Sequence, residues 1–245
     1  MRADRYLVEQ GHYPSRARAQ AAIRAGCVRV DGRPLRKASA PIPDGAEVVA
    51  VPEHPWVSRG GLKLDHALST FGLDVRGRDC LDVGASTGGF TQVLLARGAA
   101  RVVAVDVGHG QLHEAVRADP RVVVMERMDA RDLTRALVGE PEVVVCDASF
   151  IGLRQVLPVP LSLAAPGAVL VALVKPQFEV GREDVGRGGV VRDAQARERA
   201  VMEASAYLTE SGWSVEGRCA SPIAGGGGAG GTGNRETLLM ARKAR

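Results

Sequence analysis

The chain has 245 residues, of which 45% are hydrophobic, so it is long enough for one or two domains with sizeable cores. Its net charge of +4 permits a polyanionic partner without requiring one. The four cysteines are far apart and form no Cys-x-x-Cys pair, which argues against a zinc site or a disulfide framework. Because no basic-then-apolar leader opens the sequence, we expect a cytoplasmic protein.

Positive charge is concentrated at the start of the chain. Residues 1–40 contain nine lysines and arginines against three acids, a larger surplus than that of the whole chain. The pattern predicts two short helices over 2–10 and 15–25. Ser15 can cap the second helix, and Gly26 ends it.

Two strand signals follow the helices. The first is an alternating strand interrupted by Asp31-Gly32, which is typical of a tight hairpin turn, and the second lies over 44–51. We therefore predict a small α+β domain over 1–52. A linker over 53–57 follows, since prolines at this point prevent a helix or a strand from continuing.

This N-terminal region resembles the S4-type RNA-binding module in RADRYLVEQG, SRARAQAAIRAGCVRVDG and DGAEV. The resemblance implies that arginines contact RNA phosphates, and each such contact adds salt-dependent affinity that is blind to sequence. Arginines on short exposed helices could instead be merely solvated, but their one-sided clustering favours RNA. The candidate RNA-binding residues are Arg5, Arg16, Arg18, Arg24 and, beyond the linker, Arg59.

From residue 79 onward, apolar strands alternate with helices, which is typical of a parallel sheet covered on both faces. The predicted strands are 80–84, 101–108, 121–125, 142–148 and 167–175. The predicted helices are 89–97, 110–117, 131–138, 152–164 and 193–211, and two strands that can form a hairpin follow the last helix. We predict a doubly wound, Rossmann-like α/β domain over 58–245 with an antiparallel last strand.

One stretch has the length of a membrane span. Residues 155–174 carry no charge, and a bilayer can be crossed by about 20 apolar residues. Pro158, Pro160 and Pro166 interrupt the stretch, whereas a spanning segment must satisfy its backbone within a helix. We therefore predict a short helix, a turn and a buried strand, and no membrane partner.

The loop after the first strand of this domain, in LDVGASTGGFT, indicates a ligand site. Gly84, Gly88 and Gly89 let the backbone turn sharply and approach a ligand at the edge where such sheets bind them. Asp106, at the end of the next strand, can accept both hydroxyls of a ribose, and Asp129 can hold an adenine amino group. An acidic loop without lysine would repel phosphates, so S-adenosyl-L-methionine fits better than a dinucleotide or no ligand.

Four charged residues stand at strand ends or helix starts: Lys63, Asp147, Lys175 and Glu236. Each alone could be a surface charge. Together on one rim, lysines beside carboxylates could orient and deprotonate a hydroxyl nucleophile, with lysine as the general base. Methyl transfer would then be an in-line displacement in which positioning supplies much of the rate.

The motifs VSRGGLKL, CLDVGASTGGFTQVLL, DVGHGQL, VVVCDASFIGL, LVKPQFEVGRE and GGVVRD resemble the TlyA family. Its members, often named hemolysins, join an S4-type module to an FtsJ-like methyltransferase domain. The resemblance implies 2′-O-methylation of ribosomal RNA at cytidine. It places a Lys-Asp-Lys-Glu catalytic set on the four residues above. The implied cofactor-binding residues are Gly84, Ala85, Ser86, Thr87, Gly88, Asp106, Asp129, Asp147 and Phe150.

Three features depart from the family pattern. A glycine-rich run over 224–234, expected to be a flexible loop, precedes Glu236 and makes it the least secure of the four catalytic candidates. The HPWV linker lacks the arginine usual in the family, which argues against signalling from RNA binding to the active site through this linker. The sequence ends with LLMARKAR, without the C-terminal extension of relatives thought to modify both subunits, which favours the large ribosomal subunit (23S) as the substrate.

Two other functions compete with the methyltransferase hypothesis. A pore-forming cytolysin would need a leader or an amphipathic membrane segment, and the sequence shows neither. A non-catalytic RNA-binding protein would not need the intact loop and the four charged residues. His109 and His113 have helical spacing, but Gly110 lies between them and no third ligand is evident, so no metal is predicted.

Overall fold

A computed structural model of the protein describes residues 1–13, 15–51, 54–225 and 233–245. The chain divides into two compact units, Met1–Pro55 and Trp56–Arg245. Part of the predicted linker, residue 53, and most of the glycine-rich run, residues 226–232, lie outside the described residues.

The first unit pairs two helices with a small antiparallel sheet in the strand order β2-β1-β3. Its elements are α1 (Ala3–Glu9), α2 (Arg16–Arg24), β1 (Val28–Val30), β2 (Arg33–Pro34) and β3 (Val48–Ala50). The Ser15 hydroxyl caps α2 by accepting from the Arg18 backbone N–H at 3.3 Å. Asp31 and Gly32, both with positive φ, form the predicted two-residue turn between β1 and β2.

A buried carboxylate joins the two helices of this unit. Asp4 is fully buried and accepts from Arg2, from Arg16 at 2.9 Å and from Gln20 at 2.8 Å. The hydrogen bond from Arg2 is the main reason that the pKa of Asp4 lies well below its usual range. One RNA-binding candidate, Arg16, is therefore also part of the scaffold that holds α1 against α2.

The described part of the second unit contains a seven-stranded sheet in the order β6-β5-β4-β7-β8-β10-β9. Every strand pair is parallel except those of β10, which is antiparallel to both neighbours. The strands are β4 (Asp79–Val83), β5 (Arg101–Asp106), β6 (Val122–Glu126), β7 (Val143–Cys146), β8 (Val169–Val174), β9 (Trp213–Ala220) and β10 (Thr237–Lys243).

Helices cover both faces of this sheet, as the fully apolar strands predict. The helices are α3 (Gly60–Phe71), α4 (Gly89–Ala96), α5 (Glu114–Arg117), α6 (Arg135–Val138), α7 (Leu153–Val156), α8 (Pro158–Leu163), α9 (Pro176–Glu179) and α10 (Ala194–Glu210). Strand β8 shows the two-sided burial: Leu173 packs with α3 and α4, whereas Leu170 and Val174 pack with α7, α8 and α10.

Three predicted helices are shorter than the sequence pattern indicates. The helix predicted over 110–117 begins only at Glu114, because Gly110 has a left-handed φ of 65°. The helix predicted over 131–138 is a 3₁₀ turn followed by α6. Pro158, which has no N–H to donate, divides the helix predicted over 152–164 into α7 and α8. His109 therefore lies outside α5, and the helical spacing of the two histidines does not hold.

The reversed direction of β10 determines which residues meet at the edge of the sheet. The carboxyl ends of parallel strands meet at one edge, where Asp147 follows β7 and Lys175 follows β8. Because β10 is antiparallel and its Thr237 pairs with Val174, the start of β10 lies at that same edge. Glu236 is therefore brought next to the ends of β7 and β8.

No described helix combines the length and the apolar character needed to cross a bilayer. The structure has the predicted turn between 164 and 168, and the buried strand that follows it is β8.

The N-cap of α10 gives a local test of the fold. Asp193 accepts from the backbone N–H groups of Gln195 and Ala196, at 3.0 and 3.2 Å. We expect Asp193→Ala to lower the free energy of unfolding of the second unit by about 1 kcal/mol, because it leaves two N–H groups of the first turn without their acceptor. Urea denaturation measures this loss, and Asp193→Ser, which keeps a capping oxygen, should retain most of the stability. Equal losses in both variants would contradict the capping role.

Candidate active site

The four predicted catalytic side chains form two ion pairs. Nζ of Lys63 lies 2.6 Å from Oε2 of Glu236, and Nζ of Lys175 lies 2.7 Å from Oδ1 of Asp147. Lys63, Lys175 and Glu236 are buried, with 7%, 7% and 4% of their surfaces exposed. Charged groups are rarely buried to this extent without a partner, and the opposite charge in each pair offsets part of the desolvation.

Close helix packing positions Lys63. The side chain projects from the first turn of α3, whose first residues pack against the start of α4. A Cβ on Gly89 would lie within 2.9 Å of the Gly61 nitrogen, and a Cβ on Gly61 would collide with the Trp56 ring. The two glycines therefore permit a backbone approach that brings Lys63 beside the end of the sheet.

Close packing and hydrogen bonds fix the chain around Glu236. A Cβ on Gly225 would overlap the carboxylate of Glu236, so the backbone passes directly against it. Asn234, itself buried, accepts from the Val191 N–H at 2.8 Å and donates to the Gly189 carbonyl at 2.8 Å. The GGVVRD segment is thereby joined to the residues that precede β10.

Burial raises the pKa of Glu236, and the positive charge of Lys63 partly offsets that effect. The charges of Asp147 and Lys175 also act on this carboxyl, in opposite directions. The two ion pairs are therefore close enough to influence each other electrostatically.

Lys175 has more partners than the sequence predicts. Within the described residues, its Nζ lies near three oxygen atoms: Oδ1 of Asp147 at 2.7 Å, the Asp147 carbonyl at 3.0 Å and Oγ of Ser149 at 2.7 Å. Ser149 was not among the predicted site residues, and no spacing rule identifies it. Lysine is rare in this chain: only four of the 32 basic residues are lysines, and two of those four lie in this site.

The predicted cofactor loop lines a cavity of about 390 Å³ at the carboxyl edge of the sheet. Gly84 has a φ of 81°, and a Cβ there would lie 2.8 Å from the Ala148 Cα, so this position requires glycine. The Asp106 carboxylate accepts from the N–H groups of Ser86 and Gly108, at 2.8 and 2.7 Å. The lining includes the predicted residues Gly84, Ser86, Asp106, Asp129, Asp147 and Phe150.

A second cavity of about 250 Å³ adjoins the first. The two share Gly84, Ser86, Asp147 and Ser149, and the second is also lined by Lys175. The predicted Ala85, Thr87 and Arg59 line this second cavity, while Gly88 caps α4 with a positive φ and lines neither. Asp147 and Ser149 therefore stand where two ligands could meet.

Two predicted cofactor residues have local partners. Asp129 is bound by the side chain and backbone N–H of Arg131, and this hydrogen bonding lowers the pKa of Asp129. Phe150 is 91% exposed with a φ of 66°, and its ring centroid lies 5.3 Å from that of Phe178. An exposed aromatic ring in a left-handed backbone conformation is uncommon, and this one lies at the rim of the first cavity.

The sequence prediction also missed Asp82, a carboxylate inside the apolar strand β4. Asp82 is fully buried, and its Oδ2 accepts from the Thr91 hydroxyl at 2.6 Å. Burial raises the pKa of Asp82 to about 7, and the hydrogen bond from Thr91 opposes that rise. An acid within an apolar strand is the signal that could have identified it. Asp82 ties β4 to the first turn of α4 and so braces the glycine loop between them.

The site fits an adenosyl cofactor on its own geometry. The first cavity combines an acidic group at the end of β5, a glycine that admits close backbone approach and an apolar wall that includes Val83, Val105 and Ile151. The described residues contain no group of three or more His, Cys, Asp or Glu side chains placed to hold a metal ion.

The predicted RNA-binding arginines have varied environments. Arg5 forms an exposed ion pair with Glu9, and Arg16 is shared with Asp4. Arg24 is exposed in the last turn of α2, and Arg59 donates to the Ala224 carbonyl at 2.7 Å. The exposed arginines of α1 and α2 all belong to the first unit, whereas Arg59 lines the second cavity.

Comparison with known proteins assigns both units. Residues 56–239 match the model of the FtsJ-like methyltransferase family, and residues 1–48 match that of the S4 domain. The chain is 51% identical over 230 residues to a 16S/23S rRNA (cytidine-2′-O)-methyltransferase, TlyA, of Mycobacterium tuberculosis, covering 93% of this chain and 86% of that protein. It is 40% identical to Hemolysin A of Brachyspira hyodysenteriae, covering 93% and 96%.

The fold also matches solved structures. A hemolysin-named protein of Streptococcus thermophilus superimposes with a TM-score of 0.76 at 39% identity, over 100% of this chain and 88% of that one. The predicted architecture, a methyltransferase-type sheet preceded by an S4 domain, is thereby confirmed. The chain belongs to the TlyA family, whose members join an S4 domain to an FtsJ-like methyltransferase domain.

Proposed function

We propose that the protein transfers a methyl group from S-adenosyl-L-methionine to the 2′-hydroxyl of a cytidine in ribosomal RNA, with 23S rRNA as a substrate. The observation that carries the proposal is the pair of buried Lys–carboxylate contacts beside the cavity of the glycine loop. The name of the Mycobacterium tuberculosis relative, which includes 23S rRNA and cytidine, supports the choice of substrate.

The first cavity would hold the cofactor through residues of three strand ends. Asp106 would accept the ribose hydroxyls, since a carboxylate has about four lone-pair sites and the two loop N–H groups use only part of them. Asp129 would bind the adenine amino group, with Phe150 and the glycine loop enclosing the ligand. The bound cofactor supplies an activated methyl group on a sulfonium sulfur.

The second cavity would hold the ribose that is methylated. Lys175, next to Asp147, is the proposed general base that removes the proton of the 2′-hydroxyl. The Lys63–Glu236 pair lines neither of the two cavities and would help to orient the same ribose through its charges, which act on the neighbouring Lys175–Asp147 pair. A low-dielectric site strengthens such contacts because water competes for them less.

The experiment that tests the proposal uses S-adenosylmethionine with a labelled methyl group and separated 30S and 50S ribosomal subunits. We expect label on 23S rRNA as 2′-O-methylcytidine, which nuclease digestion and mass spectrometry identify. Label on 16S rRNA as well would extend the substrate range to both subunits. No transfer to either subunit, or transfer only to a base, would refute the proposal.

We propose that the arginines of the first unit contact RNA phosphates. The variant Arg18→Gln/Arg24→Gln is expected to weaken rRNA binding. We also expect the slope of log K against log salt to become shallower by about one to two, about one for each phosphate contact that is lost. Binding isotherms at several salt concentrations measure this slope. Arg218→Gln/Arg242→Gln, which removes two cations from the second unit, is the matched control. An unchanged slope in the double variant would place the RNA contacts elsewhere.

Asp106 gives a direct test of cofactor binding. We expect Asp106→Ala to weaken binding of S-adenosylhomocysteine about 10- to 100-fold, because charge-assisted hydrogen bonds are worth about 1.5–3 kcal/mol. Isothermal titration calorimetry measures the dissociation constant. Asp119→Ala, which removes a carboxylate paired with Arg121 away from the cavity, should leave it unchanged. Equal affinities in the two variants would contradict the assignment of Asp106.

A further inference from the structure

We propose that Ser149 relays the proton of the ribose 2′-hydroxyl to Lys175. The inference rests on the proposed function and deepens it, because it assigns a role to a residue beside the proposed base. It starts from the 2.7 Å contact between Oγ of Ser149 and Nζ of Lys175.

The partners of Lys175 differ in what they can do when the lysine changes charge. A protonated lysine has three N–H donors, which match the three oxygen atoms described around its Nζ. A neutral lysine has two donors and a lone pair. The carboxylate and carbonyl of Asp147 can only accept, whereas a serine hydroxyl can also donate. Of these three described partners, Ser149 alone can satisfy Lys175 in both charge states.

Ser149 is also more accessible than the lysine. Lys175 is 7% exposed, whereas Ser149 is exposed and lines both cavities. A ribose in the second cavity would therefore meet the Ser149 hydroxyl at the boundary with the cofactor cavity. The buried lysine then needs no direct contact with the nucleophile.

The relay moves two protons along a chain of two hydrogen bonds. The ribose O2′–H donates to Oγ of Ser149, and the Ser149 O–H donates to the lone pair of neutral Lys175. As the bond between O2′ and the methyl carbon forms, the bond from that carbon to the sulfonium sulfur breaks, and its electron pair remains on sulfur. The O2′ proton passes to Oγ of Ser149, while the original Ser149 proton passes to Nζ, which becomes an ammonium.

Other charged groups surround Lys175 and must be kept constant in a test. Asp147 is its ion-pair partner, and Arg59 lines the same cavity. The positive charge of Lys175 also acts to lower the pKa of Glu236. Lys63 acts through its pair with Glu236. A change confined to Ser149 leaves all of these charges in place, so a change in the titration of Lys175 would report the serine contact.

The first arm of the experiment uses the protein without cofactor or RNA. The chain has four lysines, so ¹³C-labelled lysine gives four side-chain Cε signals, which single Lys→Arg substitutions assign. We expect Ser149→Ala to move the titration midpoint of the Lys175 signal to lower pH by roughly one unit, because the charge-assisted hydrogen bond that the ammonium form loses is stronger than the neutral one that the uncharged form loses. Ser149→Thr should keep the wild-type midpoint, and Ser162→Ala, on α8, is the matched control. An unchanged midpoint in Ser149→Ala would overturn the proposal.

The second arm measures methyl transfer to ribosomal RNA. We expect Ser149→Ala to lower kcat about 10- to 100-fold with unchanged affinity for S-adenosylhomocysteine, and Ser149→Thr to restore most of the rate. Full activity in Ser149→Ala would overturn the relay. If the wild-type protein methylates neither subunit, the proposed function fails, and the lysine titration still decides whether Ser149 is coupled to Lys175.

Discussion

Replacing Lys175 with arginine is expected to lower kcat for ribosomal RNA methylation by about 10²- to 10⁴-fold, the range that general-base catalysis supplies. Arginine keeps the positive charge beside Asp147, but its guanidinium does not lose a proton in proteins. The substitution therefore separates proton transfer from charge compensation at a buried position. Methyl transfer under single-turnover conditions, with saturating cofactor and RNA, measures the effect on the chemical step.

Two controls make this result specific to the site. Lys243→Arg alters a lysine whose Nζ donates to the carbonyls of Ser162 and Ala164, and it should retain full activity. Calorimetry with S-adenosylhomocysteine should show that Lys175→Arg still binds the cofactor. Near-normal kcat in Lys175→Arg would assign Lys175 a purely electrostatic role and would exclude it as the base.

Replacing Lys63 with methionine is expected to destabilise the second unit by about 3–5 kcal/mol near neutral pH, because it leaves the Glu236 carboxylate buried without its counter-charge. The methionine retains most of the apolar stem of lysine, so the loss reports mainly the charge. Urea denaturation, followed by a signal from Trp213 in the core of this unit, measures the change.

The stability of the Lys63→Met variant should depend on pH through the protonation of Glu236. The pKa of Glu236 is already raised by burial, and removing Lys63 takes away a positive charge that opposes the rise. The folded variant would then bind a proton that the unfolded chain has released, so its free energy of unfolding falls as pH rises past the usual glutamate range. At lower pH, Glu236 is protonated in the folded variant and leaves no unpaired charge. The free energy of unfolding of the variant then approaches that of the wild type.

The double variant Lys63→Met/Glu236→Leu is the matched control for this prediction. It removes both charges and replaces the pair with apolar groups, so we expect it to regain most of the stability that Lys63→Met loses. Its methylation activity should stay low, because both site groups are gone. A double variant less stable than the single one would show that the pair contributes to stability beyond compensating a buried charge.

Local sequence signals predict most of the elements of the second unit. Apart from Asp82 and charged residues at strand ends, the runs that form β4 to β8 are apolar on both faces, which is typical of a sheet covered on both sides. The cap at Asp193 and the left-handed Gly212 bound α10 where the sequence places them. The helix predictions failed at Gly110, whose left-handed φ precedes a later start of α5, and at Pro158, which divides one predicted helix into α7 and α8.

The sequence therefore determines by itself the types of residue in the site and the edge on which most of them lie. Gly84, Asp106, Asp147 and Lys175 each stand at or just after the end of a parallel strand, which the pattern shows directly. It does not determine their partners, because a partner depends on which strands are neighbours and in which direction they run. The antiparallel pairing of β10 with β8 brings Glu236 to the same edge, where Lys63 of α3 meets it. Burial is likewise a tertiary property: only the packed structure shows that Asp82 is enclosed and that Ser149 reaches Lys175.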